Sequence, residues 1–309
     1  MDVGPHRDLL GELRNATLRI GGLHFGLYFS QFEWFNRLFT SDEVSGFASQ
    51  DYVEMVSQPQ LQELVNDYQP EVIWSDGDWN ATPAYWNSTQ FLAWLYTTSK
   101  VKEVVVTNDR WGRGTAGKHG DFFNYADRFN PGHILPHKWE NCLTLDKQSW
   151  GYRRNMAAQD LLSLIELLNA TICGGNLLLN VGPTHYGRIV AIFEERLRQF
   201  GAWLAVNAEA VYHTKPWLYQ NDTRTPDIWY TSRLRSNATL DPRRAFNPQE
   251  EQNTIVYATL LTWPSNGLLK LYAPKATPRT KVSMLGLRAS LHGSIRSKYA
   301  HGSLQIDLK

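Results

Sequence analysis

Short, continuously apolar runs alternate with amphipathic segments through the first two thirds of this chain, and that alternation restricts the fold more than any other feature. LHFGLYFS at 23–30 reads as a strand, and Leu61, Leu64, Val65 and Tyr68 then share one helical face behind Pro59, whose fixed φ suits a first turn. EVIWS at 71–75 is a second strand, a helix through Phe91, Leu92, Leu95 and Tyr96 follows, and EVVVTN at 103–108 is a third. A helix through Leu161, Leu164, Ile165 and Leu168 leads into the strand NLLLNV at 176–181, and a last helix covers about 189–206. A further strand candidate lies at 138–142. Strands without polar alternation, separated by helices, predict a parallel sheet, open or closed into a barrel. Four strands and a fifth candidate leave an eight-stranded (β/α) TIM-type barrel without its first part.

Past Tyr212 the texture changes. IWYTSR, TIVYATLLTW, GLLKLYAP, KVSMLGL and LQIDLK are short strand candidates divided by Gly, Pro and Asn, with no helical period between them. An antiparallel β-sandwich domain over 215–309 is expected after a barrel domain over 1–214, with a polar insertion at about 234–253. A formal net charge of +1 supplies no basic field for nucleic acid. No apolar run reaches the ~20 residues of a membrane span. Oligomeric state stays open, a homo-oligomer included.

Six sequons, at Asn15, Asn80, Asn87, Asn169, Asn221 and Asn237, fit the N-glycosylation pattern and favour an exported or lysosomal chain. The first residues, MDVGPHRDLLGELRNATLR, have no apolar h-region, so a signal peptide is expected upstream of this sequence. Cys142 and Cys173 are compatible with one bridge or two thiols.

The chemistry concentrates in EVIWSDGDWNATPAYW at 71–86. Trp74, Asp76 and Asp78 sit where a strand ends, which in an α/β barrel is where active-site groups lie. A lone Ser-Asp-Gly is more often a turn with its capping Asp. Indoles on both sides, Trp74 and Trp79, with Trp86 beyond, are better explained by a carboxylate that must be walled by aromatic rings against a sugar. Glycoside cleavage needs a second carboxyl to protonate the leaving oxygen. Glu140, beside Trp139, and Asp127, beside Arg128, both lie in the irregular stretch that could supply it. Two other patterns are weaker. Gly112 to Gly117 spells G-x-G-x-x-G, yet no helix follows to receive a pyrophosphate, and Gly132 and Pro136 prevent the helix on which His133 and His137 would pair as zinc ligands.

GLYFSQFEWF, ELVNDYQPEVIWSDGDW, VVTNDRWG, LPHKWENC, SWGYRR and GGNLLLNVGP, in this order, resemble the retaining α-L-fucosidases, most closely the animal lysosomal and plasma (secreted) enzymes. The resemblance covers essentially the whole chain. It implies a (β/α) barrel lacking some regular helices, a C-terminal β-sandwich, fucosylated glycans as substrates, no cofactor and no metal. It places the nucleophile on Asp76, the sugar-contacting aromatics on Tyr28 and Trp74, and an arginine on Arg110. The proton donor falls on Glu140 in K-W-E, with Asp127 as competitor. The family's early strands and their substrate-gripping His-His pair have no counterpart here, so the chain as it stands is expected to show little or no activity. A non-catalytic glycan-binding remnant is the alternative.

Overall fold

The computed structural model describes residues 4–172, 174–235, 253–277, 279–287 and 295–309. The chain forms two compact units, Met1–Ala126 with His137–Trp139, and Asp127–Pro136 with Glu140–Lys309.

The first unit opens with α1 (Leu9–Ile20), a helix the apolar pattern does not announce because none of its residues is buried. Local signals make it: Asp8 accepts from the Gly11 amide at the N-terminus, and Gly21 at φ 71° ends it. The elements that follow are β1 (Gly26–Ser30), α2 (Arg37–Val44), α3 (Gln58–Tyr68), β2 (Val72–Asp76), α4 (Pro83–Trp86), α5 (Ser88–Thr97) and β3 (Val106–Thr107). A five-residue π-helical segment, Val53–Ser57, runs directly into α3. The three strands form a parallel sheet in the order β1-β2-β3. Leu27, Phe29 and Ile73 point to one face, where Leu61 and Val65 of α3 and Phe91 and Leu95 of α5 complete an apolar cluster.

The opposite face of the sheet is more open. Burial alternates along β1 and β2, and the residues between the core positions are Tyr28, Trp74 and Asp76. The register pairs Tyr28 with Trp74 and Ser30 with Asp76. Strand three is also shorter than EVVVTN suggested. The Val104 and Val105 amides both bond to the Val101 carbonyl, so a turn consumes the first half of that run.

Strand β4 (Trp139–Thr144), which belongs to the second unit from Glu140 onward, pairs with β5 (Gly175–Asn180), and in that unit α6 (Leu161–Ile172) and α7 (Ala191–Val211) pack Leu164, Ile165, Leu168, Phe193 and Phe200 around Leu145. Two antiparallel three-stranded sheets follow. One comprises β6 (Lys215–Asn221), β7 (Ile228–Leu234) and β8 (Thr254–Leu260); the other has β9 (Leu268–Leu271), β10 (Ser297–Ala300) and β11 (Ser303–Asp307) in the order β10-β11-β9. A single cluster joins them, with Trp217, Ile228 and Tyr230 from one sheet and Leu269, Leu271, Leu304 and Ile306 from the other. Asp222 ties the same sheets by accepting from the Tyr230 hydroxyl at 2.7 Å and from the Tyr272 and Ala273 amides. Burial pushes this carboxyl up, but those bonds and the Arg224 and Thr225 amides outweigh it and hold it below the usual carboxylate range.

KVSMLGL does not become a strand. Its Val282 carbonyl accepts from Ile295 and the Leu287 amide turns back to Met284, so the segment is a connection. Within the polar insertion at 234–253, residues 236–252 lie outside the described residues, as does the sequon at Asn237.

Candidate active site

Asp76 is the last residue of β2, and both of its carboxylate oxygens are engaged. Arg110 Nη1 donates to Oδ1 at 2.8 Å and the Tyr28 hydroxyl donates to Oδ2 at 2.8 Å. The ion pair is sheltered, the Arg110 and Asp76 side chains being 12% and 20% exposed. Trp74 backs the group: its ring lies 5.6 Å from that of Tyr28 at 23° between planes, and the Arg110 guanidinium sits 4.9 Å above the indole. One carboxylate, one guanidinium, one phenol and one indole therefore converge at the ends of adjacent strands. Tyr28 keeps 59% of its surface open, so this cluster faces solvent from the sheet side that lacks α3 and α5.

The strand end is held by side chains that take over where the sheet ladder stops. Asn108 accepts from the Ser75 amide at 2.9 Å and donates to the Ser75 carbonyl at 2.8 Å, so a single side-chain amide replaces a neighbouring strand's backbone. From the other side the Gln31 amide donates to the Asp76 carbonyl, and Gln31 Nε2 to Ser75 Oγ. Asp109, fully buried, accepts from the amides of Gly117, Asn124 and Tyr125. Trp111 donates its indole N–H to the Asn108 carbonyl and stacks on Phe91. Each residue of Asn-Asp-Arg-Trp thus has a task. Sequence reasoning singled out only Arg110 because the other three act on backbone groups, which residue identities alone do not reveal.

The neighbouring carboxylate is a different device. Asp78 is buried and accepts the Gly112 amide at 2.6 Å, while its own carbonyl receives the Trp86 indole N–H at 2.9 Å. Burial raises its pKa above the usual carboxylate range, partly opposed by the Gly112 bond. Trp86 is fully buried against Phe39, Tyr85 and Tyr52, so it is core and not sugar wall. Trp79 remains 51% exposed. The Gly112 to Gly117 run is a series of turns with no helix after it, closed by Asp78 at one end and Asp109 at the other. His133 and His137 lie on no helix, and His137 stacks on Phe123 at 3.7 Å.

The second unit carries both candidates for the second carboxyl. Glu140 lies within β4 and is buried; Oε2 accepts from Asn176 Nδ2 at 2.9 Å, and the Cys142 thiol approaches Oε1 at 3.9 Å. Asn176 stands in GGNLLLNVGP, so two of the motifs meet at this carboxyl. Asp127 is exposed in a turn. Its neighbour Arg128 lies over Trp150 at 5.1 Å and bonds Thr144 and the Gln148 carbonyl. Arg153 of SWGYRR grips Asp146 with two bonds of 2.6 and 2.8 Å, and holds that carboxyl at about 2. Cys173 lies outside the described residues.

Asn15 and Asn221 are exposed, and Asn80 and Asn87 are half-buried. Asn169 is buried in α6 with Nδ2 donating to the Ile165 carbonyl at 2.7 Å.

The α/β scaffold thus gathers a clasped carboxylate and stacked aromatic rings near strand ends, where α/β folds place their functional groups. Comparison with known proteins narrows the class: the model of the Alpha-L-fucosidase family matches residues 1–209, and that of the Alpha-L-fucosidase C-terminal domain matches 220–309. The chain belongs to the alpha-L-fucosidase family. It is 52% identical over 291 residues to human plasma alpha-L-fucosidase, covering 93% of this chain and 59% of the relative. Against human tissue alpha-L-fucosidase it is 46% identical over 297 residues, covering 95% and 59%. Its fold matches the solved structure of a Bacteroides thetaiotaomicron alpha-L-fucosidase trapped as a covalent intermediate with 2-fluoro-fucosyl fluoride, with TM-score 0.73, 20% identity and coverage of 100% of this chain and 69% of that one. The chain spans about six tenths of the length of these curated relatives.

Proposed function

We propose that the protein is a retaining α-L-fucosidase acting on terminal α-linked L-fucose of glycoproteins, glycolipids or oligosaccharides. The observation that carries the reading is the clasp on Asp76, in which a guanidinium and a phenol fix both oxygens of a strand-end carboxylate beside an indole. Asp76 attacks the anomeric carbon and forms a glycosyl ester as the leaving oxygen departs; Glu140 gives that oxygen its proton and then takes one from the water that opens the ester. Arg110 and Tyr28 orient the attacking carboxylate, and Trp74 with Tyr28 shapes the sugar site. Glu140 is preferred to Asp127 because it is buried in a strand and bonded to Asn176, whereas Asp127 is exposed on a turn.

In this reading residues 1–214 belong to a (β/α) barrel and 215–309 to a β-sandwich. The plasma and tissue relatives favour a secreted or lysosomal protein with fucosylated glycans as partners. Among the described residues no helix is long and apolar enough to cross a membrane. The test is the stereochemistry of hydrolysis. NMR of an aryl α-L-fucoside during turnover by the whole protein should show α-L-fucose as the first product. First release of β-L-fucose would refute a retaining mechanism.

A further inference from the structure

Beyond Asp76 the chain displays aromatic rings that the core does not use. Trp34 and Phe35 are the two central residues of a turn closed by the Asn36 amide on the Glu33 carbonyl, and Glu33 Oε1 also accepts the Phe35 amide. Turn centres ordinarily carry Gly, Pro, Asn, Asp or Ser. Here they carry an indole that is 63% exposed and a phenyl that is 92% exposed. Phe32 supports the indole from below, with ring centroids 4.9 Å apart and planes 7° from parallel, so one face of Trp34 is covered and the other is open. The edge contact of Phe32 with Trp79, at 5.1 Å and 78°, brings a second exposed indole to the same support.

This shelf is continuous with the nucleophile's strand end. Phe32 packs directly over Gly77, the residue after Asp76: a Cβ there would stand 2.9 Å from Phe32 Cδ1, at a φ of +68° that itself favours glycine. The shelf therefore hangs on β1 and β2 beyond the group that cleaves the bond, yet Trp34 and Trp79 make none of the bonds to Asp76.

We infer that Trp34, seated on Phe32 and flanked by Trp79, is the platform for the sugar that carries the fucose, stacking on the apolar face of that leaving pyranose. The inference rests on the fucosidase reading and adds where the leaving sugar binds. An open indole face held flat by a parallel ring beneath it is preorganised for such stacking and loses little freedom on binding.

The experiment compares two substrates of the whole protein, α-L-fucosyl fluoride, whose leaving group is too small to reach a shelf, and an α-L-fucosyl-β-galactoside. For Trp34→Ala the KM of the disaccharide should rise about tenfold, with kcat/KM for the fluoride within about twofold of the parent. Trp34→Phe should recover most of the disaccharide KM, and Trp79→Ala should show a smaller rise. Equal losses on both substrates, or no loss on either, would overturn the platform while leaving the fucosidase reading intact. A change in sedimentation of Trp34→Ala with unchanged KM would overturn it in favour of a contact between copies of the chain. No turnover of the fluoride by the parent protein would overturn the fucosidase reading and the platform with it.

Discussion

The last residue of β2 and the second residue of β4 each carry a carboxyl, and the two are held in opposite ways. Asp76 stands at a strand terminus, partly open, with a cation on one oxygen and a phenol on the other. Glu140 is inside a strand whose residues are all buried, bonded by an amide from the adjoining β5. An attacking carboxylate has to reach carbon while keeping its orientation, which a terminus braced by Arg110 and Tyr28 permits. In the proposed mechanism Glu140 is the proton donor, held in place by the Asn176 amide. The contrast teaches that two carboxyls of one chain are fixed by different means, one by a cation and a phenol at a strand end, the other by a neighbouring side-chain amide inside a buried strand.

The sharpest way to break the contrast is at the open end. Asp76→Gly should lower turnover of an aryl α-L-fucoside by several orders of magnitude, because no covalent step is possible, while circular dichroism and thermal unfolding stay close to the parent. Azide should then occupy the gap and give β-fucosyl azide. Retained turnover in Asp76→Gly would end the assignment.

The buried end is tested by running Glu140→Gly and Asp127→Gly side by side. Loss of the true acid/base costs about 10²- to 10⁴-fold with a substrate that needs protonation and much less for the first step of an activated aryl fucoside. Azide should rescue only the true acid/base variant, with retained configuration; the contrast predicts Glu140. Rescue of Asp127→Gly instead would invert the comparison.

A smaller effect sharpens the account of how β4 is anchored. Arg153→Ala removes the paired bonds on Asp146 just beyond the strand, and bonds to charged groups are worth about 1.5–3 kcal/mol. Arg153 holds the Asp146 carboxyl at about 2, below its ordinary value, so its contribution is complete above pH ~4 and lost as pH falls towards ~2. Urea titrations should show the parent losing stability over that acid window, with the slope reduced in Arg153→Ala. An unchanged slope would remove the brace from the account.

Much of this was legible in residue order where local pattern and final contacts coincide. Strand β2, helices α3 and α5, and β5 with α6 follow directly from apolar spacing, and the indoles around Asp76 were read from one motif. The rest depended on partners that spacing cannot show. Helix α1 was silent because Leu9, Leu13, Leu18 and Ile20 are exposed rather than buried on a core-facing stripe. Strand β3 was overlong in the reading because a Val-rich run looks extended even when its amides turn back on Val101. Strand β10, SKYA, has no apolar alternation, and its pairing with β11 makes it a strand. Asn108 and Asp109 work through backbone amides and carbonyls, and Trp86 was read as part of the sugar wall when its indole lies in the core.

The most direct test of the central claim, that the clasped strand-end carboxylate is the nucleophile, is covalent trapping. The whole protein is incubated with 2-deoxy-2-fluoro-α-L-fucosyl fluoride, quenched in acid, digested and mapped by tandem mass spectrometry. The account predicts one fluorofucosyl group, on the peptide containing Trp74 to Trp79, with fragmentation placing it on Asp76 and no label in Asp76→Gly. Labelling of any other carboxylate, or unchanged labelling in Asp76→Gly, would contradict it.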